Sequence, residues 1–239
     1  MCEEENIKPK DRRMYKLPHD EKFYVDTDKL FSVILDRQHY NFLRNTLGET
    51  VGSRDYNTRD RITLELAWEG LTAIEIKNLK KDKDSIIFKK INEKEVADLV
   101  LDDRIVTITD EDVVEDLKKT IDQTHYYVSS TGKKKEAFKP YRDTPYLIRP
   151  VSYKTGKNLQ ITNPSQMLKN ILVKMDGGIP DIDLSLLTLE DVRRSRAIEM
   201  FCVPNTTIED VKEFLGKDST CDLYWLKEIA EKKNKMIKK

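Results

Sequence analysis

Residues 62–83 read ITLELAWEGLTAIEIKNLKKDK, two helical segments with a joint between them. Ile62 and Leu66 recur at helical spacing, and Glu69–Gly70 supplies a stop, because glycine leaves a helix through the left-handed region without a Cβ penalty. Thr72 and Glu75 then have the spacing of a capping box. The threonine hydroxyl can accept from the Glu75 amide while the Glu75 carboxylate reaches back to the Thr72 amide. The box predicts a short helix through Leu79, and Thr58 is suited to cap the helix before it.

Outward from this joint the pattern stays legible. Toward the N-terminus, Leu30, Phe31, Ile34 and Leu35, then Phe42 and Leu43, recur at helical spacing from Asp28, behind an irregular arm containing Pro9 and Pro18. Toward the C-terminus, Ser85–Phe88, Val96–Leu101 and Arg104–Ile108 are short β-rich runs separated by charged turns, the mark of a small antiparallel sheet. Thr109-Asp-Glu-Asp opens a helix with Val113, Val114, Leu117 and Ile121 on its apolar face. After a basic aromatic stretch, Thr162-Asn-Pro-Ser165 opens a helix through Met175. Thr188 and Thr207 open two more, the second closed by Gly216, and the tail from Asp222 is helical. The expected order is helix, helix, three short strands, helix, loop and four helices. The fold class is mainly α with a small antiparallel β-sheet. Residues 1–45 read as an N-terminal arm and helix, and 46–239 as one domain that includes the tail.

Composition removes several classes. Of the 239 residues, 38% are hydrophobic and 36% charged, with 43 bases against 43 acids. No run approaches the roughly 18 uninterrupted apolar residues of a membrane helix, so no membrane partner is expected. The opening MCEEEN carries acids where a signal peptide carries bases. Three cysteines (Cys2, Cys202, Cys221) without CxxC spacing fit a reducing, cytoplasmic location. Three dispersed histidines predict no metal site, and nothing calls for a cofactor.

The zero net charge conceals blocks of one sign. Residues 92–122 hold four bases against eleven acids, a net of −7. Residues 132–174 hold ten bases against two acids, a net of +8, and carry Phe138, Tyr141, Tyr146 and Tyr153 among the cations. The last fifteen residues are net +4. A basic block interleaved with aromatics suits phosphates and points to nucleic acid, whereas a plain reading makes it a solvated loop and two basic strands.

With two further strings, LTLEDVRRSRAIEM (187–200) and IEDVKEFLGKDSTCDLYWL (208–226), residues 62–83 give an order of elements that resembles the catalytic domain of tyrosine recombinases, the phage integrases. The likeness covers about residues 45 to 239. It implies a mainly α domain that clamps duplex DNA. It also implies a separate helical core-binding domain upstream, for which residues 1–45 are too short. In that family a tyrosine attacks a DNA phosphodiester, two arginines hold the non-bridging oxygens, and a sheet lysine and a histidine move protons.

Matched position by position, the first arginine falls on Thr72, the first histidine on Glu190, the second arginine on Arg193 and the second histidine on Lys217. Tyr224 is the candidate nucleophile, and Lys89, Lys90 or Lys94 the sheet lysine. A threonine offers no charge, and a glutamate repels a phosphate, so no catalytic residue is expected and the constellation reads as dismantled. Arg193, Arg194, Arg196, Lys133, Lys134, Lys135, Lys139, Arg142, Arg149, Lys154 and Lys157 are the expected DNA contacts, with double-stranded DNA the expected partner. If the matched residues serve one site, they should converge on one basic hollow.

Occupancy without cutting describes a transcriptional regulator, similar in kind to the integrase-like repressors of SPbeta-type Bacillus phages. The expectation is a non-enzymatic phage or prophage repressor. A peptide or protein antagonist and self-association through the tail stripe Leu223, Leu226, Ile229 and Ala230 go with it; the stripe could equally fold back on its own domain. Two alternatives stand: an active divergent recombinase using Tyr224, and a protein-interaction module of the same fold that binds through the acidic block and ignores DNA.

Overall fold

The computed structural model describes residues 32–47, 54–55, 57–128, 137–150, 160–173, 178–216 and 221–237. In chain order the elements are α1 (Arg37–Leu47), β1 (Arg54–Asp55), α2 (Asn57–Trp68), α3 (Ala73–Asn78), β2 (Ile86–Ile91), β3 (Lys94–Val100) and β4 (Ile105–Ile108). They continue with α4 (Glu111–Asp122), β5 (His125–Val128), β6 (Ala137–Pro140), α5 (Pro164–Leu172), α6 (Leu189–Phe201), α7 (Ile208–Leu215) and α8 (Cys221–Ile237). The chain is mainly helical with small antiparallel sheets, as its periodicities require.

Helix α2 is the centre. Ile62, Leu64, Leu66, Ala67 and Trp68 are buried together with Thr63 and Glu65, so the helix is covered on every side rather than along one stripe. The main core packs α1, the β2–β3–β4 sheet, α4, α5 and the start of α6 around it. A second cluster joins Ala197 and Ile198 of α6, Val211 and Leu215 of α7, and Leu223, Leu226, Ile229 and Ala230 of α8. The tail stripe therefore folds back on its own domain.

Two sequence expectations change. Of the helix expected from Asp28, Asp28, Leu30 and Phe31 lie outside the described residues, residues 32–36 are not helical, and α1 begins at Arg37 behind Asp36, whose carboxylate accepts the His39 amide at 2.9 Å. Val33 and Leu35 enter the main core and Ile34 the second, an alternation of period two that belongs to extended chain rather than helix. Helix α1 buries Tyr40, Leu43 and Leu47 in the main core. The stretch expected as loop after α4 contains β5 and β6, which pair with each other and with β1 in a second three-stranded sheet.

In the first sheet β3 is central, with Ile86 opposite Leu99 and Val100 opposite Ile105. Its β2–β3 turn, Asn92 and Glu93, has φ of 50° and 68°, the left-handed pair that a two-residue hairpin needs.

Between α1, α2 and α4 lies a buried charge cluster. Arg44 donates to Glu65 and lies 3.3 Å from Asp112 and 3.5 Å from Asp116, while Arg61 donates to Asp116. Beyond it, Tyr40 stacks on Trp68 with ring centroids 4.1 Å apart, and Arg37 covers the Trp68 ring at 5.2 Å while holding Glu199 with two hydrogen bonds. Among the described residues, no helix is long and apolar enough to cross a membrane.

Candidate functional site

The three strings meet where α2 ends and α7 ends. Gly70, in the turn after α2, has φ of +95°, and a Cβ there would stand 2.5 Å from the Phe214 carbonyl oxygen. Only glycine lets the two segments approach so closely. Two residues on, Thr72 caps α3 with the predicted box: its hydroxyl accepts from the Glu75 amide at 3.1 Å, and the Glu75 carboxylate accepts from the Thr72 amide.

Two arginines lock this joint. Arg104, from the turn between β3 and β4, donates through Nε and Nη2 to the Glu75 carboxylate at 2.8 and 3.1 Å. Its Nη2 also reaches the Gly70 carbonyl at 3.0 Å, and Nη1 the Phe214 carbonyl at 2.9 Å. Arg193, on α6, donates through Nε to the same Gly70 carbonyl at 2.9 Å, through Nη2 to the Leu215 carbonyl at 2.8 Å, and through Nη1 to Glu190. The last carbonyls of a helix lack intrahelical donors and form the negative end of its dipole. Arg104 and Arg193 satisfy those of α7, and Gly216 ends that helix at φ 57°, ψ 43°. A Cβ on Gly216 would lie 2.6 Å from the Arg104 guanidinium. Burial alone would raise the Glu75 carboxyl, but the hydrogen bonds from Arg104 and Thr72 outweigh it and hold the group below its usual range.

The residues expected to act on DNA are placed unequally. Arg193, expected to grip a phosphate, is instead 2% exposed, and each of its three nitrogens has a protein acceptor. Arg149 is likewise buried and donates to the carbonyls of Thr120, Ile121 and Gln123, so it closes the end of α4 as Arg193 closes α7. Arg194 lies 3.4 Å from Glu190 and 3.8 Å from Asp191, and Arg196 pairs with Glu199. Glu190 thus sits between two arginines. Lys139 is exposed and Arg142 half-buried. Lys133, Lys134, Lys135, Lys154, Lys157 and Lys217 lie outside the described residues.

Of the sheet lysines, Lys89 donates to Asp98, Lys94 lies 3.8 Å from Glu111, and Lys90 is exposed opposite Glu95. Tyr224 stands in the first turn of α8 at 56% exposure, while Leu223 and Leu226 on either side do the packing.

Thr72, Glu190 and Arg193 therefore converge on the Gly70–Gly216 joint. Among the described residues, the hollow beside it is not basic. A cleft of about 430 Å³, lined in part by Thr72, Glu75 and Gly216, carries among those residues the carboxylates of Glu75, Asp102 and Asp103 against the ammonium of Lys80. A DNA phosphate would meet repulsion there. Among the described residues, no group of three or more His, Cys, Asp and Glu is placed to hold a metal ion. No protein-family model matches the chain, and no curated protein matches it in sequence. What the sequence alone could not reveal was Arg104, whose partners lie 29 to 110 positions away along the chain. Its sole signal was its place in a charged turn.

Proposed function

We propose that the chain is a catalytically inactive, integrase-like DNA-binding protein, a phage or prophage transcriptional regulator of repressor type. One observation carries this reading. Three of the residues matched to the recombinase site, Thr72, Glu190 and Arg193, meet at one joint, yet the cation among these three, Arg193, is consumed by Gly70, Leu215 and Glu190. Such a joint keeps the order of elements the resemblance calls for and leaves no free guanidinium fork to stabilise a phosphodiester in its transition state. Thr72 spends its hydroxyl on a helix cap, and Glu190 has the wrong charge for a proton donor to a leaving oxygen.

DNA affinity in this reading comes from the basic block, Lys133, Lys134, Lys135, Lys139, Arg142, Lys154 and Lys157, rather than from the arginines that close helices. The test is retention of duplex DNA of mixed sequence over a salt series. Neutralising several phosphates gives a steep negative slope of log K against log salt. Changing Lys133, Lys134 and Lys135 together to Ala should flatten that slope by roughly two to three. No binding at low salt would overturn the DNA assignment. A covalent adduct to Tyr224 on a nicked suicide substrate would overturn the absence of cutting.

A further inference from the structure

The cleft beside the Gly70–Gly216 joint has a use that the DNA reading does not supply. Its wall includes Ile74, 70% exposed on α3, and Val100, 36% exposed at the end of β3. Directly opposite Val100 in the register stands Ile105, 63% exposed at the start of β4. An aliphatic strip therefore runs from the cleft out onto the sheet edge. Asp102 and Asp103 occupy the turn between Val100 and Ile105, so carboxylates alternate with the apolar side chains along one surface.

Charge points to the occupant. Glu75 is neutralised by Arg104, whereas neither Asp102 nor Asp103 has an ion pair among the described residues. Both belong to residues 92–122, with their net charge of −7. The surface attracts cations rather than phosphates, and the exposed aliphatic side chains beside its carboxylates call for a partner that is apolar as well as basic. We propose that the cleft and its strip dock a basic, amphipathic segment of a partner protein, with aliphatic side chains on Ile74, Val100 and Ile105 and Lys or Arg on Asp102 and Asp103.

The probe is a fluorescein-labelled peptide of Lys-Leu-Leu-Lys repeats, about 12 residues long, titrated with the full chain and read by anisotropy. A Lys-Gly-Gly-Lys peptide of equal length and charge is the control. Binding of the first in the range of ~10 μM is expected, with the control weaker by about tenfold. Ile74→Asp should weaken the first peptide about tenfold, as should Asp102→Lys combined with Asp103→Lys. Glu111→Lys with Glu115→Lys, on α4 of the same acidic block, should change it by less than about twofold. Circular dichroism should be unchanged in the cleft variants and none of them should lose DNA retention, which separates this proposal from the DNA reading. Equal binding of both peptides, or an equal loss in the α4 variant, would reduce the effect to bulk charge and overturn the proposal. So would self-association abolished by the cleft substitutions with no peptide binding, which would make a second copy the occupant.

Discussion

Glu65→Gln is the substitution on which the physical account of this fold is most exposed. Glu65 sits on α2 with its side chain wholly out of solvent. One carboxylate oxygen accepts from Arg44 and lies 4.0 Å from Arg61; the other is buried without a hydrogen-bond donor. Burial, and then the neighbouring Asp116 carboxylate, push the Glu65 carboxyl up to about 8 against the pull of Arg44. The folded state therefore keeps a proton that the unfolded chain gives up near pH 4.5. A group raised on folding contributes stability that is fully present below the unfolded value and is lost as pH climbs to the folded one. Between pH 4.5 and about 8 the loss runs at about 1.4 kcal/mol per pH unit, or roughly 3 to 5 kcal/mol in all.

A glutamine cannot ionise, and its amide can imitate the protonated acid, accepting from Arg44 with its oxygen and donating with its nitrogen on the Asp116 side. Urea unfolding of both proteins from about pH 5 to 9 isolates this group together with the neighbours coupled to it, because titrations elsewhere cancel in the difference. The variant should gain on the wild type steadily up to pH 8 and hold a constant lead above it. Were Glu65 ionised in the folded state, Glu65→Gln would instead break a buried ion pair and lower stability by a similar amount at every pH. Parallel stability curves would refute the protonated assignment.

Other outcomes follow from the joint. Arg193→Ala should destabilise by roughly 2 to 4 kcal/mol in chemical unfolding, since three charge-assisted hydrogen bonds are lost, whereas Arg194→Ala should stay within about 1 kcal/mol. Gly216→Ala, which forces a Cβ into a left-handed residue against Arg104, should cost about 1 to 3 kcal/mol, read the same way. Thr72→Ala removes one cap at about 1 kcal/mol and should leave DNA retention unchanged. Tyr224→Phe, at an exposed hydroxyl, should alter neither the thermal midpoint nor DNA retention.

Local rules were readable from the residues, and long-range ones were not. The capping box at Thr72 and the helix starts at Thr188 and Thr207 involve atoms three positions apart and form where the residues place them, with Asp191 and Asp210 completing boxes at the latter two where the sequence reads only helix starts. The strands of the first sheet are read correctly for the same reason: the charged turns between them are short. Ile34 misled because adjacent apolar residues satisfy a helical period and an alternating one equally well. Only the presence of two cores, one on each side of the segment, selects extended chain. The second sheet escaped because β1 contributes two residues and pairs with β5 from more than seventy positions away.

The candidate site shows the same division more sharply. An arginine near an expected phosphate site and an arginine closing a distant helix look alike in a sequence, since both answer to concentrated negative potential. Arg149 closes α4 and Arg193 closes α7, each across more than twenty residues of chain. What separates the two uses is burial. A guanidinium at 2% exposure with its nitrogens committed to carbonyls gains little from an external anion, because binding one would first strip a helix end of its donors. Lys139, the described lysine among the expected contacts of the basic block, is exposed. In the proposed reading, affinity for duplex DNA varies with the lysines of the basic block while the joint at Gly70 and Gly216 stays fixed, because the arginines of that joint are committed to helix ends.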